Sequence, residues 1–264
     1  MNTIIGGYIS LNAVITASSR VITKLYYDKL RLETVKRSTF HYPEKKQYER
    51  LNEYALENKI ETVYLTDTEF ATLTSGETYG GIAAEVGERI YTSVDELTSI
   101  PNGYFVMLDG IEDPFNFGYV LRTFYAAGVD GVFLPQRNFL SASNIVIRSS
   151  AGASELLKIA EYTNPEEVLQ KLKQNGICIA CTAKEEKSSN LYGAKFKRPV
   201  CIVIGGEKRG INKTILSYAD KVLKIPYPRE LTVSLSASAA ASIIAFETAR
   251  QLAYADKIAE SHRQ

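Results

Sequence analysis

From Tyr104 onward, short and almost wholly apolar segments alternate with segments of helical pattern. The apolar stretches are 105–108, 131–134, 177–181, 200–204 and 222–225, and the helical candidates are 118–127, 144–149, 165–174, 213–218 and 234–255. A strand apolar at every position is buried on both faces, which calls for a parallel sheet with helices above and below it. An α/β domain over 104–264 is therefore expected. In such sheets ligands sit beyond the carboxyl ends of the strands. Three polar loops fall there, after Leu108, Ile204 and Ile225.

Residues 1–90 follow a different plan. A short helix and a strand are expected around 7–17 and after Arg20. A helix at 48–57 has Leu51, Tyr54 and Ala55 on one face, and ETVYL at 61–65 reads as a strand. A closing strand over 80–86 is entered through Gly80 and Gly81. Together these make a small α/β unit. The polar stretch 91–103 ends in Pro-Asn-Gly and is expected to be a linker.

A net charge of +1 gives the chain no global attraction for nucleic acid, so an RNA-binding surface has to concentrate charge locally. Residues 20–50 do so, with nine Lys/Arg against four acids; they form either an RNA contact or a solvated face. The three cysteines argue against a disulfide framework. Cys178 and Cys181, three apart on a strand, point to opposite faces and read as small buried hydrophobes. With only His41 and His262 available, no metal site is expected. The opening MNTIIGGYIS lacks a basic stretch before an apolar run, and no segment reaches membrane-spanning length. A reduced, cytoplasmic setting is expected.

In the first loop, Asp109 ends the strand, Asp113-Pro114 is read as a turn, and Asn116 is expected to cap the helix. Gly118 keeps the helix start uncrowded, and Arg122 is expected one turn in. That arginine either holds a phosphate or pairs with Glu112 or Asp113. In the second loop, Gly205, Gly206 and Gly210 let backbone meet a flat heterocycle or a phosphate, or simply make a turn. The glycine spacing is not that of a dinucleotide fold. In the third, Pro226 and Pro228 stiffen a loop leading to a small-residue helix with Ser234, Ser236 and Ser238. That helix is suited to close packing in a core or a dimer.

These motifs, in this order, closely resemble the SpoU (TrmH-like) branch of the SPOUT RNA methyltransferases. Asp113-Pro114-x-Asn116-x-Gly118 with Arg122 resembles its first motif. Gly205-x-Glu207-x-x-Gly210 resembles its second, and Ile225-Pro226 with Ser234-Leu235 through Phe246-Glu247 its third. The segment from Tyr79 to Gly87 is similar to the end of the substrate-binding domain that often precedes it, a domain related to ribosomal proteins that bind kinked RNA.

The resemblance implies a deep trefoil knot in 104–264 and a homodimer with the site beside its interface. It also implies S-adenosylmethionine as cofactor and methyl transfer to a ribose 2′-hydroxyl of ribosomal RNA. Transfer RNA is the alternative substrate, and a weakly catalytic RNA-binding protein the alternative role. Carried over, the cofactor residues are Thr182, Gly205, Gly206, Gly210, Ile225, Pro226, Ser234 and Leu235. The catalytic set is Arg122, Asn116, Glu207 and Ser236, the last replacing the family's usual asparagine.

Overall fold

The computed structural model describes residues 3–37, 42–136, 143–185, 187–206, 210–230, 232 and 234–261. The chain divides into two compact units, Met1–Ile90 and Tyr91–Gln264.

The first unit contains β1 (Thr3–Gly6), α1 (Tyr8–Ala17), β2 (Ile22–Asp28), α2 (Lys29–Arg37), α3 (Tyr42–Glu57), β3 (Glu61–Leu65), α4 (Asp67–Leu73) and β4 (Ile82–Val86). Its sheet order is β1-β4-β2-β3, with β2 and β3 parallel and the other pairs antiparallel. Leu11, Val14, Leu25, Tyr27, Leu51 and Phe70 fill its core. A reciprocal cap starts α4: the Thr66 hydroxyl accepts from the Glu69 amide, and the Glu69 carboxylate accepts from the Thr66 amide. Tyr79, Gly80 and Gly81 all have positive φ, at 46°, 65° and 78°, so β4 starts at 82 rather than 80. Only glycine fits at 81, where a Cβ would come within 2.8 Å of the Arg31 side chain.

The second unit runs α5 (Val94–Thr98), β5 (Tyr104–Asp109), α6 (Pro114–Ala126), β6 (Gly131–Pro135), α7 (Ser143–Ser149), α8 (Ala153–Leu156) and β7 (Ile159–Tyr162). It continues through α9 (Pro165–Gln174), β8 (Cys178–Thr182), β9 (Ser189–Asn190), β10 (Val200–Gly205), α10 (Lys213–Ser217), β11 (Lys221–Lys224) and α11 (Ala237–Ser261). All seven strands are parallel, in the order β7-β6-β5-β10-β8-β11-β9. Alternation along β5 explains the two layers. Tyr104, Val106 and Leu108 meet α6 and α11 on one face, while Phe105 and Met107 meet α5 and α9 on the other. Residues 91–103, expected as a linker, hold α5 within this unit: Ser93 caps it, and Leu97 is fully buried over Gly131.

The last strand has an unusual place. β8 and β9 are consecutive, yet β11 lies between them: Leu223 pairs with Thr182 on one side and Ser189 on the other. Residues 183–188 therefore connect across β11.

Cys178 and Cys181 do face opposite layers. Burial pushes the Cys181 thiol up to about 12, and those of Cys178 and Cys201 upward as well, so all three are poor nucleophiles at neutral pH. Among the described residues no helix is long and apolar enough to cross a membrane, and no His/Cys/Asp/Glu cluster is able to hold a metal.

Candidate active site

The site is built around the end of β10. This strand stays paired with β5 through Gly205↔Asp109, but its register with β8 ends at Ile204↔Thr182. Past that point β8 follows β11, the Ala183 amide donating to the Leu223 carbonyl at 2.9 Å. The two ladders diverge at their carboxyl ends, with Thr182, Gly205 and Ile225 at the three strand ends. The Thr182 hydroxyl is half-buried and donates to the Val203 carbonyl at 2.9 Å, which fixes its rotamer toward β10.

The glycines of the second motif have a different cause from the one their sequence suggests. A Cβ on Gly205 would lie 2.4 Å from the Gly210 carbonyl carbon, and one on Gly206 would lie 2.2 Å from the Gly110 oxygen. Their missing side chains make room for other stretches of backbone, not for a ligand. Gly206 and Gly210 form an isolated bridge, and the Gly206 amide donates to the Asp109 carbonyl at 2.6 Å. Gly210 has φ +64° with nothing within 4 Å of its Cβ position, so it is glycine for conformation. Glu207 lies outside the described residues.

In the first motif the cap is Asp113, not Asn116: Asp113 Oδ1 accepts from the Asn116 amide at 2.8 Å. Pro114, whose fixed φ and absent N–H suit the first helical position, starts α6 four residues earlier than expected. Arg122 therefore lies about two turns into the helix rather than one. It is exposed and, among the described residues, makes no hydrogen bond or ion pair, so it is not tied to Glu112 or Asp113. Six residues separate it from Asn116, roughly 240° of helical turn, so the two do not share a face. Its neighbours along α6 are Phe115 and Tyr119, each half exposed, while Phe246 is similarly exposed on α11. Thr123 and Ser242 join these helices at 3.4 Å. Gly118 is buried, and a Cβ there would lie 1.8 Å from the Ser149 hydroxyl of α7.

In the third motif, Ile225, Pro226 and Tyr227 are half-buried. The Leu235 amide donates to the Tyr227 hydroxyl at 3.3 Å, folding the loop back on itself; Ser234 is exposed. Ser236 Oγ accepts from the Ala239 amide at 3.3 Å, so it caps α11, which begins at Ala237 rather than 234. Serine and asparagine both serve well as caps, which gives the departure at 236 a benign local reason. The sequence reading missed Tyr227 and Asp109 as loop-holding residues; nothing in their spacing sets them apart.

A groove of about 790 Å³ lies elsewhere, between residues 185–194, α10 and β11, and includes Lys187, Lys213 and Lys221. Among the described residues, none of the sequence-predicted site residues lines it.

The fold is that of the SPOUT methyltransferases. The AdoMet-bound rRNA methyltransferase of Sinorhizobium meliloti superimposes with a TM-score of 0.77 over 95% of this chain and 88% of that one, at 22% identity. A crystal structure of an RNA 2′-O ribose methyltransferase gives 0.71 over 95% and 88%, at 21% identity. More specifically, the chain belongs to the SpoU rRNA Methylase family, whose model matches residues 103–246. The putative TrmH family tRNA/rRNA methyltransferase YacO of Bacillus subtilis is 29% identical over 214 residues, spanning 78% of this chain and 84% of that one. The protein is accordingly an RNA methyltransferase of that family.

Proposed function

We propose that this protein methylates a ribose 2′-hydroxyl of ribosomal RNA. Residues 1–90 form its RNA-binding domain, and residues 91–264, including the 91–103 stretch, form its methyltransferase domain. The observation that carries this reading is Arg122, an exposed guanidinium with no partner among the described residues, on the helix that leaves the Asp109 loop beside the diverging strand ends.

The donor set at those ends fits the cofactor. Thr182, Gly205, Gly206, Gly210, Ile225, Pro226, Ser234 and Leu235 are uncharged and mostly small or apolar, suited to hold an adenosyl group through backbone contacts. When bound, S-adenosylmethionine supplies an electrophilic methyl group. The chain's part is then to position the ribose oxygen and remove its proton, and positioning supplies a large share of the rate. Neither His41 nor His262 falls in the three motifs, so an imidazole base is not on offer. Arginine does not give up its proton readily. Arg122 therefore grips the target phosphate and stabilises developing alkoxide charge. Glu207 or a phosphate oxygen takes the proton, Asn116 orders the loop through the bond its amide gives Asp113, and Ser236 sets the start of α11.

A second copy of the chain covers the face of Phe115, Tyr119, Arg122 and Phe246, making a homodimer with the site at its edge. An exposed aromatic face of this kind marks an interface. The position of β11 between β8 and β9 supports a knotted path. The basic stretch 20–50 meets RNA phosphates, so affinity falls steeply with salt.

The deciding experiment maps 2′-O-methyl sites in ribosomal and transfer RNA from cells with and without the protein. A site lost from ribosomal RNA supports the proposal. A site lost only from transfer RNA moves the substrate, and no lost site in either ends the reading.

A further inference from the structure

Asp109 is where the first and second loops are tied together. Its carbonyl accepts from the Gly206 amide at 2.6 Å, and its Oδ2 accepts from the Asn212 amide at 3.0 Å. One residue thus holds both ends of the turn that leaves β10 at Gly205 and enters α10 after Asn212. The backbone bond survives any substitution at 109. The side-chain bond needs an acceptor there, and it ties β5 to the far end of this turn.

Local geometry leaves little slack. Gly110 follows with φ +105°, and its ideal Cβ position is 3.4 Å from Gly206 Cα. Gly206 in turn bridges to Gly210. If the Asn212 amide is released, residues 210–212 lose their polar hold on Asp109 and keep only the Gly206–Gly210 bridge and the packing of buried Ile211 near Gly205. Asn212 also caps α10, its Oδ1 accepting from the Thr214 amide at 2.9 Å, so its backbone position sets where that helix starts.

We infer that Asp109 is a positioning residue: its carboxylate holds Asn212, and with it the Gly210 end of the second motif, beside the Gly205–Gly206 backbone that receives the methyl donor. It touches neither donor nor RNA and acts through the turn. This rests on the cofactor assignment proposed above.

The test compares wild type, Asp109→Ala and Asp109→Asn in the full chain. S-adenosylmethionine affinity is read by calorimetry, and amide hydrogen exchange by mass spectrometry. Asparagine keeps an oxygen able to accept from the Asn212 amide; alanine does not. Asp109→Ala is expected to bind the donor about tenfold more weakly and to exchange faster over residues 205–214 alone, whereas Asp109→Asn stays within about threefold of wild type. Three results overturn the inference: wild-type affinity in Asp109→Ala, equal loss in Asp109→Asn, or faster exchange spread evenly through residues 91–264, which would make Asp109 a general fold contact. If wild type itself binds no donor, the cofactor assignment fails instead, and the exchange pattern still reports whether the clasp exists.

Discussion

Replacing Gly206 with alanine tests the crossing of backbones at the heart of the site. The new Cβ would lie 2.2 Å from the Gly110 oxygen and 2.6 Å from its carbonyl carbon. Relaxed carbon–oxygen contacts fall near ~3.3 Å, so the two backbones must part by about 1 Å. That movement stretches the bond from the Gly206 amide to the Asp109 carbonyl, now 2.6 Å. A lost hydrogen bond costs about 0.5–1.5 kcal/mol and overpacking about 1–3 kcal/mol, so roughly 2–4 kcal/mol is expected in all. For a unit of this size the melting midpoint falls by roughly 4–16 °C. Gly128→Ala is the control: nothing lies within 4 Å of its Cβ position, and its φ of +75° exacts only backbone strain of about 1–2 kcal/mol. Calorimetric melting of the two variants beside wild type is the assay. A Gly206→Ala midpoint within ~2 °C of wild type would refute the claim that backbone crowding fixes glycine there.

Other outcomes follow from the same geometry. Arg122→Ala is expected to lower methyl transfer about a hundredfold while leaving the melting midpoint unchanged, since the side chain is exposed and has no partner among the described residues; near-wild-type rates for both Arg122→Ala and Arg122→Lys in a tritiated-methyl assay would remove it from the chemistry. Ser236→Asn should melt like wild type, whereas Ser236→Ala loses the α11 cap and about 1 kcal/mol; equal melting of both would show the cap to be idle. Glu247 receives bonds from Arg250 at 2.9 and 2.8 Å and from Gln251 at 2.7 Å, and Arg250 chiefly holds its carboxyl below the ordinary 4.5. A depressed carboxylate stabilises the fold above its unfolded pKa and loses that contribution as pH falls through the lower folded value. The stability gap between wild type and Glu247→Gln should therefore be fullest at neutral pH and close on the acid side of 4.5, as acid-titrated melting would reveal.

The parallel sheet was legible because its central strands are apolar at every position, a pattern that has few other homes. β7 was missed: IAEY is only four residues long and carries Glu161, so it reads as neither a buried run nor a clean alternation. α6 was placed too late because Asp113-Pro114 supports a turn and a helix start equally well, and only tertiary context chooses. The glycines at 205 and 206 were legible as special, but not for their reason. Sequence shows a missing side chain; it does not show that Gly110, distant along the chain, and Gly210, a few residues on, come to fill the space. β11 was legible as a strand at 222–225, but β9 and the seat of β11 between β8 and β9 were hidden, because non-local pairing of such short strands leaves no periodic trace.

The seat of β11 between two strands that precede it has a consequence for biosynthesis. Until residues beyond about 221 have left the ribosome, β8 and β9 have no strand to join them, and the loop after β11 that supplies Ile225 through Ser236 does not yet exist. A nascent chain on its way out thus carries Arg122 and Gly205 before the third loop of the proposed pocket exists, so on that reading the site is completed only late in synthesis.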